Sequence, residues 1–135
     1  MHPLDFRLPF ELKVTAQPTD IDALGHVNNT VYLRWVQEVA IAHWQTIATP
    51  EQQTEMVWMV VRHEIDYKSA ARLNDDIILK TWIGTAEGLR FDRHTEILTV
   101  ERKPLAIAKT VWCPVDPVTQ RPKKVSAEVR RMFSA

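Results

Sequence analysis

Hydrophobic and polar residues alternate strictly over residues 10–17, near the start of the chain. The even-numbered residues are apolar and the odd-numbered ones are polar, so a period of two places them on opposite faces. This pattern predicts a half-buried β-strand. Pro18 should end it, because proline lacks the N–H that a strand ladder needs.

Residues 29–48 have a helical pattern in which the polar side chains fall within a stripe roughly 100° wide. The remaining circumference is largely apolar, which is more than a surface helix needs, so we expect a sheet to wrap this helix. Asn28 or Asn29 can cap its start, and Pro50 lies beyond its end. The polar stripe consists of Thr30, Arg34, Gln37, Glu38 and Gln45.

Four further strand-like runs follow a polar link at residues 49–55. Short turn-like connections join the last three runs, so we expect antiparallel hairpins. Ser126 is expected to cap a short helix that ends at Phe133. These elements predict one α+β domain over residues 1–135, with about five antiparallel strands curved around one long central helix. The four runs are residues 56–67, 76–86, 89–101 and 105–115.

Composition narrows the class of protein. The 135 residues suffice for one domain with its own core, and 17 basic against 17 acidic residues argue against a nucleic-acid partner. The single cysteine, Cys113, excludes an intrachain disulfide and favours a reducing cytoplasm. No apolar run reaches the roughly 18 residues that span a bilayer. Residues 1–9 lack the apolar segment of a signal peptide.

Most of the candidate chemistry lies in the loop before the long helix. Two carboxylates, an imidazole and two asparagines occur within residues 20–29, and Gly25 predicts a turn with positive φ. The first amides of the helix are free donors at the positive end of its dipole. None of the three serines lies in a Gly-x-Ser-x-Gly elbow, and Cys113 is expected to be a buried, inert thiol.

The run Asp-x-Asp-x-x-Gly-His-Val-Asn-Asn-x-x-Tyr-x-x-Trp over residues 20–35 resembles the signature of hotdog-fold thioesterases of the 4-hydroxybenzoyl-CoA thioesterase type. Segments 64–67, 73–75 and 112–116 resemble further landmarks in the same order, so the resemblance covers nearly the whole chain. It implies a single hotdog domain that hydrolyses an acyl-CoA as a homodimer or homotetramer. It implies no cofactor, since coenzyme A enters only as part of the substrate.

The resemblance also implies roles for residues of the loop. Asp22 would be the nucleophile or the general base, the amide of Asn29 would polarise the carbonyl, and His26 would support them. A structural role remains open for each: a turn cap for Asp22, a hydrogen bond for His26 and a helix cap for Asn29. The residues expected to contact the substrate are Gly25, Val27, Asn28, Tyr32, Trp35, Tyr67 and Arg90.

For several other residues the sequence predicts a structural role or a contact with the phosphates of coenzyme A. His43 faces away from the polar stripe and is expected to be a hydrogen-bonded core histidine. Arg34 and Glu38 should form an i, i+4 ion pair, and Asn74 replaces a family glycine at a left-handed turn position. The histidine and cysteine spacings predict no metal site. Candidate cations for the phosphates of coenzyme A are Arg72, Arg90, Arg121, Lys123, Lys124, Arg130 and Arg131.

The sequence therefore predicts a cytoplasmic acyl-CoA thioesterase. Three alternatives stay open: a non-catalytic acyl-CoA-binding hotdog module, an acyl-carrier-protein thioesterase, and a hotdog dehydratase acting on hydroxyacyl thioesters. The intact loop motif argues against the binding module, because binding alone needs no carboxylate beside the thioester. Leu24 stands where the plant-type carrier-protein enzymes have an asparagine, which weakens the second alternative.

Overall fold

The computed structural model describes residues 9–133. The expectation that residues 1–9 contain no signal peptide therefore falls almost entirely outside the described residues. In chain order the elements are β1 (Phe10–Thr15), a 3-10 turn (Pro18–Asp20), α1 (Asn29–Ile47), α2 (Pro50–Glu55), β2 (Val57–Tyr67), β3 (Asp76–Glu87), β4 (Arg90–Thr99), β5 (Pro104–Val115) and α3 (Ala127–Met132).

The five strands form one antiparallel sheet in the order β1-β3-β4-β5-β2. β3, β4 and β5 pair in succession through short turns, which confirms the predicted meander. β2 pairs with β5, so β1 and β2 are the two edges of the sheet. The sheet packs on α1 chiefly through β3, with further contacts from β1 and β4. This is the α+β hotdog architecture that the sequence predicts.

The helix α1 begins where the sequence predicts. Asn28 is its N-cap, and the Asn28 Oδ1 atom accepts a hydrogen bond from the amide of Thr30 at 3.0 Å. Apolar residues spaced three and four apart then form the face that packs on the sheet. The buried residues of α1 are Val31, Tyr32, Trp35, Val36, Val39, Ala40, His43 and Trp44.

Two hydrophobic clusters lie along α1. The first, around Tyr32 and Trp35, fills the space between the N-terminal half of α1 and the centre of the sheet. The second is aromatic and joins Trp44 of the C-terminal half to Phe91 and Phe133. Burying a side chain of this size contributes roughly 2–3 kcal/mol, so both clusters are major sources of stability.

Three details differ from the sequence prediction. The link at residues 49–55 contains α2, whose start is fixed by a capping box between Thr49 and Gln52 and by Pro50 in its first turn. The ends of the strands shift by one or two residues. The sheet also leaves part of α1 uncovered, and Ile41 remains 50% exposed.

Several local predictions are confirmed. Gly25 has a φ of 79° and Asn74 a φ of 67°, so both adopt the left-handed backbone expected of them. Ser126 caps α3 by accepting a hydrogen bond from Val129. Within the described part of the chain, none of the helices combines the length and the apolar character needed to span a membrane.

Candidate active site

The loop before α1 is held closed by the side chain and backbone of Asp22. Its Oδ1 atom accepts hydrogen bonds from the amides of Leu24 at 2.9 Å and His26 at 3.2 Å. The Asp22 amide donates to the carbonyl of His26 at 2.8 Å, and its carbonyl accepts from Gly25 at 3.1 Å. Among the described residues Oδ2 has no hydrogen-bond partner, so one carboxylate oxygen fixes the loop and the other is available.

The first aspartate of the motif, Asp20, has a different environment. It is 2% exposed, and its carboxylate accepts hydrogen bonds from Gln17 at 2.9 Å and from Arg34 at 3.0 Å. Arg34 also forms the predicted ion pair with Glu38. A buried carboxylate with both oxygens occupied holds the loop against α1 rather than facing a substrate.

The start of α1 offers one free backbone donor close to this loop. The amide of Thr30 is bound by Asn28 Oδ1, and the amide of Val31 donates to the carbonyl of Asn28. The amide of Asn29 has no acceptor among residues 9–133. Because this N–H lies at the positive end of the helix dipole, it is suited to bind a developing oxyanion.

Tyrosine side chains connect the loop, α1 and the end of β2. The Tyr32 hydroxyl accepts a hydrogen bond from the amide of Ala71, whose carbonyl in turn accepts from Val27. The Tyr67 hydroxyl donates to the carbonyl of Asn29 at 3.3 Å. The two rings contact each other edge to face, with centroids 5.5 Å apart. Burial raises the pKa of Tyr32, which keeps this phenol neutral.

These elements border a polar cleft of 460 Å³. Of the ten residues that the sequence predicts to take part in catalysis or substrate binding, seven line the cleft and three do not. Gly25 is exposed on the loop, Trp35 is 2% exposed in the core, and Arg90 pairs with Asp92 at the start of β4. The seven that line it are Asp22, His26, Val27, Asn28, Asn29, Tyr32 and Tyr67.

The structure adds four residues to the cleft: Leu24, Lys68, Ser69 and Ala70. Lys68 is an exposed cation at the rim of the cleft. It was not among the basic residues predicted to bind the phosphates of coenzyme A. Its position directly after the predicted strand end at Tyr67 was the only available signal in the sequence.

None of the seven basic residues expected to bind the phosphates of coenzyme A lines the cleft. Lys123 donates to the carbonyl of Glu55, and Arg130 donates to the carbonyl of Ala86 while lying over the ring of Phe91. Neither residue lines the cleft. Among the described residues, no group of three or more histidine, cysteine, aspartate or glutamate side chains is arranged to bind a metal.

Cys113, expected to be an inert thiol, and His43, expected to be a core histidine, are both buried. Cys113 is an unpaired thiol within the sheet. His43 is 5% exposed and its Nδ1 atom lies 3.0 Å from Nη1 of Arg93, which confirms the prediction of a hydrogen-bonded core histidine. Burial, with the neighbouring cation of Arg93, lowers the pKa of His43 to about 4, so that its ring is neutral.

Comparison with known proteins identifies the family and the fold of the chain. The family model of the thioesterase-like superfamily matches residues 16–133. The fold is shared with the 1,4-dihydroxy-2-naphthoyl-CoA thioesterase from Synechocystis, at a TM-score of 0.81 and 18% identity over 93% of this chain and 96% of that one. No curated protein matches the sequence significantly.

Two further solved structures have the same fold. YbaW, a probable thioesterase from Escherichia coli, is 20% identical with a TM-score of 0.78, and the match covers 93% of this chain and 98% of that one. A Staphylococcus aureus protein in complex with CoA is 12% identical with a TM-score of 0.83, over 93% and 82% of the two chains. The chain belongs to the thioesterase-like superfamily and is a thioester hydrolase with a hotdog fold.

Proposed function

We propose that this protein hydrolyses an acyl-CoA to a carboxylic acid and free coenzyme A in the cleft beside Asp22. The proposal rests on two groups whose residues border the same cleft. One is the carboxylate oxygen Asp22 Oδ2, and the other is the amide of Asn29, which has no acceptor among the described residues. Thioester hydrolysis needs these two groups, one to attack or activate water and one to stabilise the oxyanion.

In this mechanism the thioester carbonyl oxygen accepts a hydrogen bond from the Asn29 amide. Asp22 Oδ2 either takes a proton from the attacking water or attacks the carbonyl carbon to form an acyl-aspartyl anhydride that water then cleaves. The carbon–sulfur bond breaks with its electron pair on sulfur, and the thiolate takes up a proton. His26 contributes mainly through its backbone, which holds Asp22 in place.

The substrate fits the cleft by the chemistry of its walls. The acyl group contacts the rings of Tyr32 and Tyr67, and the phosphates of coenzyme A approach Lys68 at the rim. The binding of CoA by a protein of the same fold supports this assignment. A cytoplasmic location belongs to the same proposal, since the one thiol is unpaired.

The first experiment measures thiol release from short, long and aromatic acyl-CoAs by the wild type and by Asp22→Asn. The variant should lose about 100- to 10,000-fold in kcat, the range expected for a general base. His26→Ala should lose far less, because it keeps the backbone hydrogen bonds to Asp22. If wild type and Asp22→Asn bind acyl-CoA but neither releases thiol, the alternative of a non-catalytic binding module is correct.

The role of the Asn29 amide is testable because Asn29 occupies the first position of α1. Proline is tolerated there, and Asn28 already has the extended conformation, φ −63° and ψ 141°, that a residue before proline requires. Asn29→Pro therefore removes the N–H with little effect on the helix and should lower kcat by about 100- to 1000-fold. The matched variant Asn29→Ala keeps the amide and should retain most activity.

Three controls separate the remaining mechanisms. A single turnover in water labelled with heavy oxygen places the label on Asp22 if water opens an anhydride at the aspartyl carbonyl. Attack of activated water on the thioester leaves Asp22 unlabelled. Acyl-carrier-protein thioesters in the same panel test the carrier preference. Product analysis with hydroxyacyl-CoA separates hydrolysis from dehydration.

We propose a homodimer as the functional unit, formed through the edge strand β2. This edge is 11 residues long, whereas the other edge strand, β1, has six. Three apolar residues of β2, Val57, Met59 and Val61, are 44–62% exposed. A long apolar edge is a site for pairing with another strand. Val61→Lys should shift the mass in solution toward the monomer, and an unchanged mass would contradict this interface.

A further inference from the structure

A second cavity lies at the opposite half of α1 from the catalytic cleft. It has a volume of 280 Å³ and shares no lining residue with the cleft. Ala40, the first helical residue on its wall, is eight positions after Tyr32, or about 12 Å along the helix axis. The inner wall is formed mainly by the rings of Trp44, Trp58, Phe91, Trp112 and Phe133.

The cavity is open to solvent on one side. Ile41, Gln45 and Val57 line it and are exposed in the single chain, whereas Phe91 on the inner wall is 0% exposed. Val57 also lies on the β2 edge proposed for the dimer, so the mouth of the cavity borders that edge. A cavity of about 150 Å³ accommodates a benzene molecule. The present cavity is therefore large enough for an aromatic ring or a short aliphatic chain that carries one polar group.

One wall of this aromatic cavity contains the cation of Arg93. The side chain is 4% exposed, and among the described residues it forms no ion pair with a carboxylate. Burial lowers the pKa of Arg93 to about 9, and the guanidinium remains charged at neutral pH. An unpaired charge in an apolar interior is costly, so its presence calls for a partner.

Among the described residues, the hydrogen bonds of this guanidinium all leave from one nitrogen, and its carbon lies 5.8 Å from the centroid of the Phe133 ring in a cation–π contact. Nη1 donates to Nδ1 of the neutral His43 at 3.0 Å and to the hydroxyl of Thr81 at 3.1 Å. Nε is buried with no acceptor, and Nη2 has no acceptor among the described residues. Nε and Nη2 are the parallel pair of donors that binds a carboxylate in a bidentate manner.

A second unpaired donor belongs to the same cavity. The indole Nε1 of Trp112 is buried and has no hydrogen-bond partner among the described residues. Trp112 and Arg93 both line the cavity, so both unpaired donors belong to side chains of its wall. Buried donors are nearly always satisfied in native proteins, and a bound acceptor would satisfy both.

We propose that this cavity binds a small carboxylic acid with an apolar body, whose carboxylate pairs with Arg93 and whose body packs among the aromatic rings. Trp112 donates an additional hydrogen bond to the carboxylate. The ligand is a free acid, because Arg93 contacts His43, about 21 Å along α1 from Asn29, which is beyond the reach of a short acyl group bound at the cleft. The site is separate from the groups that the hydrolysis uses.

Calorimetry on the full chain tests the site with sodium phenylacetate, benzoate and hexanoate. Phenylacetamide is the matched neutral probe, and acetate supplies the charge without the body. The acids should bind at least about 100-fold more tightly than the amide, because only they pair with the cation. Equal affinity for acid and amide, or no binding of either, overturns the proposal without any variant.

Two variants locate the site. Arg93→Met should abolish acid binding, and its melting temperature is measured beside it, because the change also removes the hydrogen bonds to the buried His43 and Thr81. Trp112→Phe keeps the ring packing and should weaken acid binding by about tenfold. If folded Arg93→Met binds the acids as tightly as the wild type, Arg93 has only a structural role; if Arg93→Met does not fold, unchanged acid binding in Trp112→Phe overturns the proposed site.

Discussion

The two halves of α1 bury polar groups in opposite ways. At the N-terminal half, Asp20 is buried with both carboxylate oxygens bonded, and Asp22 stands at an open polar cleft. At the C-terminal half, Arg93 is buried among aromatic rings without a carboxylate partner in the described structure. One half exposes its functional charge to solvent, and the other isolates a charge from solvent.

This difference teaches how one helix can support two kinds of site. The N-terminal site depends on backbone geometry, because a loop of residues 20–28 aims a carboxylate and an amide. The C-terminal site depends on packing, because the described partners of the Arg93 cation, which are His43, Thr81 and the ring of Phe133, include no carboxylate. Stability changes should therefore be large at the C-terminal half, and activity changes large at the N-terminal half.

The largest loss of stability is expected from Phe91→Ala. Phe91 is fully buried and packs edge to face on Trp58, with centroids 4.9 Å apart. Removing such a ring should lower the free energy of unfolding by about 3–5 kcal/mol, measured by urea denaturation. The control is Leu24→Ala in the loop, where the side chain is 79% exposed and the change should be close to zero. An equal loss of unfolding free energy in Phe91→Ala and Leu24→Ala would contradict the contrast between the two halves.

Acid should destabilise the C-terminal half through His43. Its pKa is about 4 in the folded protein against an ordinary value of 6.5, so between these values the unfolded chain binds the extra proton. The free energy of unfolding therefore falls as the pH drops from 6.5 toward 4, by at most about 3 kcal/mol from this residue. Burial also lowers the pKa of His63, which adds to the fall in the same direction.

The matched variant for this pH effect is His43→Gln, which does not titrate and retains an acceptor for Arg93. Urea denaturation at about pH 7 and about pH 4.5 should show a smaller difference in His43→Gln than in the wild type. A difference as large as that of the wild type would assign the acid sensitivity to other residues.

Gly25 and Gly88 form a matched pair for the loop. Both have positive φ, 79° and 56°, and an added Cβ would meet nothing within 4 Å at either position. Each change to alanine should therefore cost about 1–2 kcal/mol from backbone strain alone. Only Gly25→Ala should also reduce kcat, by up to about 100-fold, because the Gly25 amide donates to Asp22. Equal activity in the two variants would show that the loop tolerates displacement.

The smallest expected change in stability concerns the cap of α1. Asn28→Ala removes the acceptor for the Thr30 amide and should cost about 1 kcal/mol, as should Ser126→Ala at α3. Asn28→Asp should restore stability but place a negative charge beside the Asn29 amide, so thiol release should slow relative to Asn28→Ala. Faster release in Asn28→Asp would contradict an oxyanion site at this amide.

Local patterns in the sequence predicted the five strands, α1 and α3, but not α2. Alternation over residues 10–17 predicted β1, and the apolar face predicted α1 and the burial of His43. The glycine at position 25 predicted a turn with positive φ. These features depend on the spacing of apolar side chains and on the backbone sterics of neighbouring residues, so they do not require knowledge of tertiary contacts.

Tertiary structure alone decided which distant residues meet. Pairing of β2 with β5 makes β2 an edge and brings Lys68 to the cleft. Packing of α1 on β4 joins His43 to Arg93, 50 residues apart in sequence. No periodicity relates such positions, because their contact depends on strand order and on the packing of helix against sheet. The sequence indicated the loop that holds the proposed catalytic groups, and the fold determined that a buried arginine lacks a carboxylate partner among the residues that the structure describes.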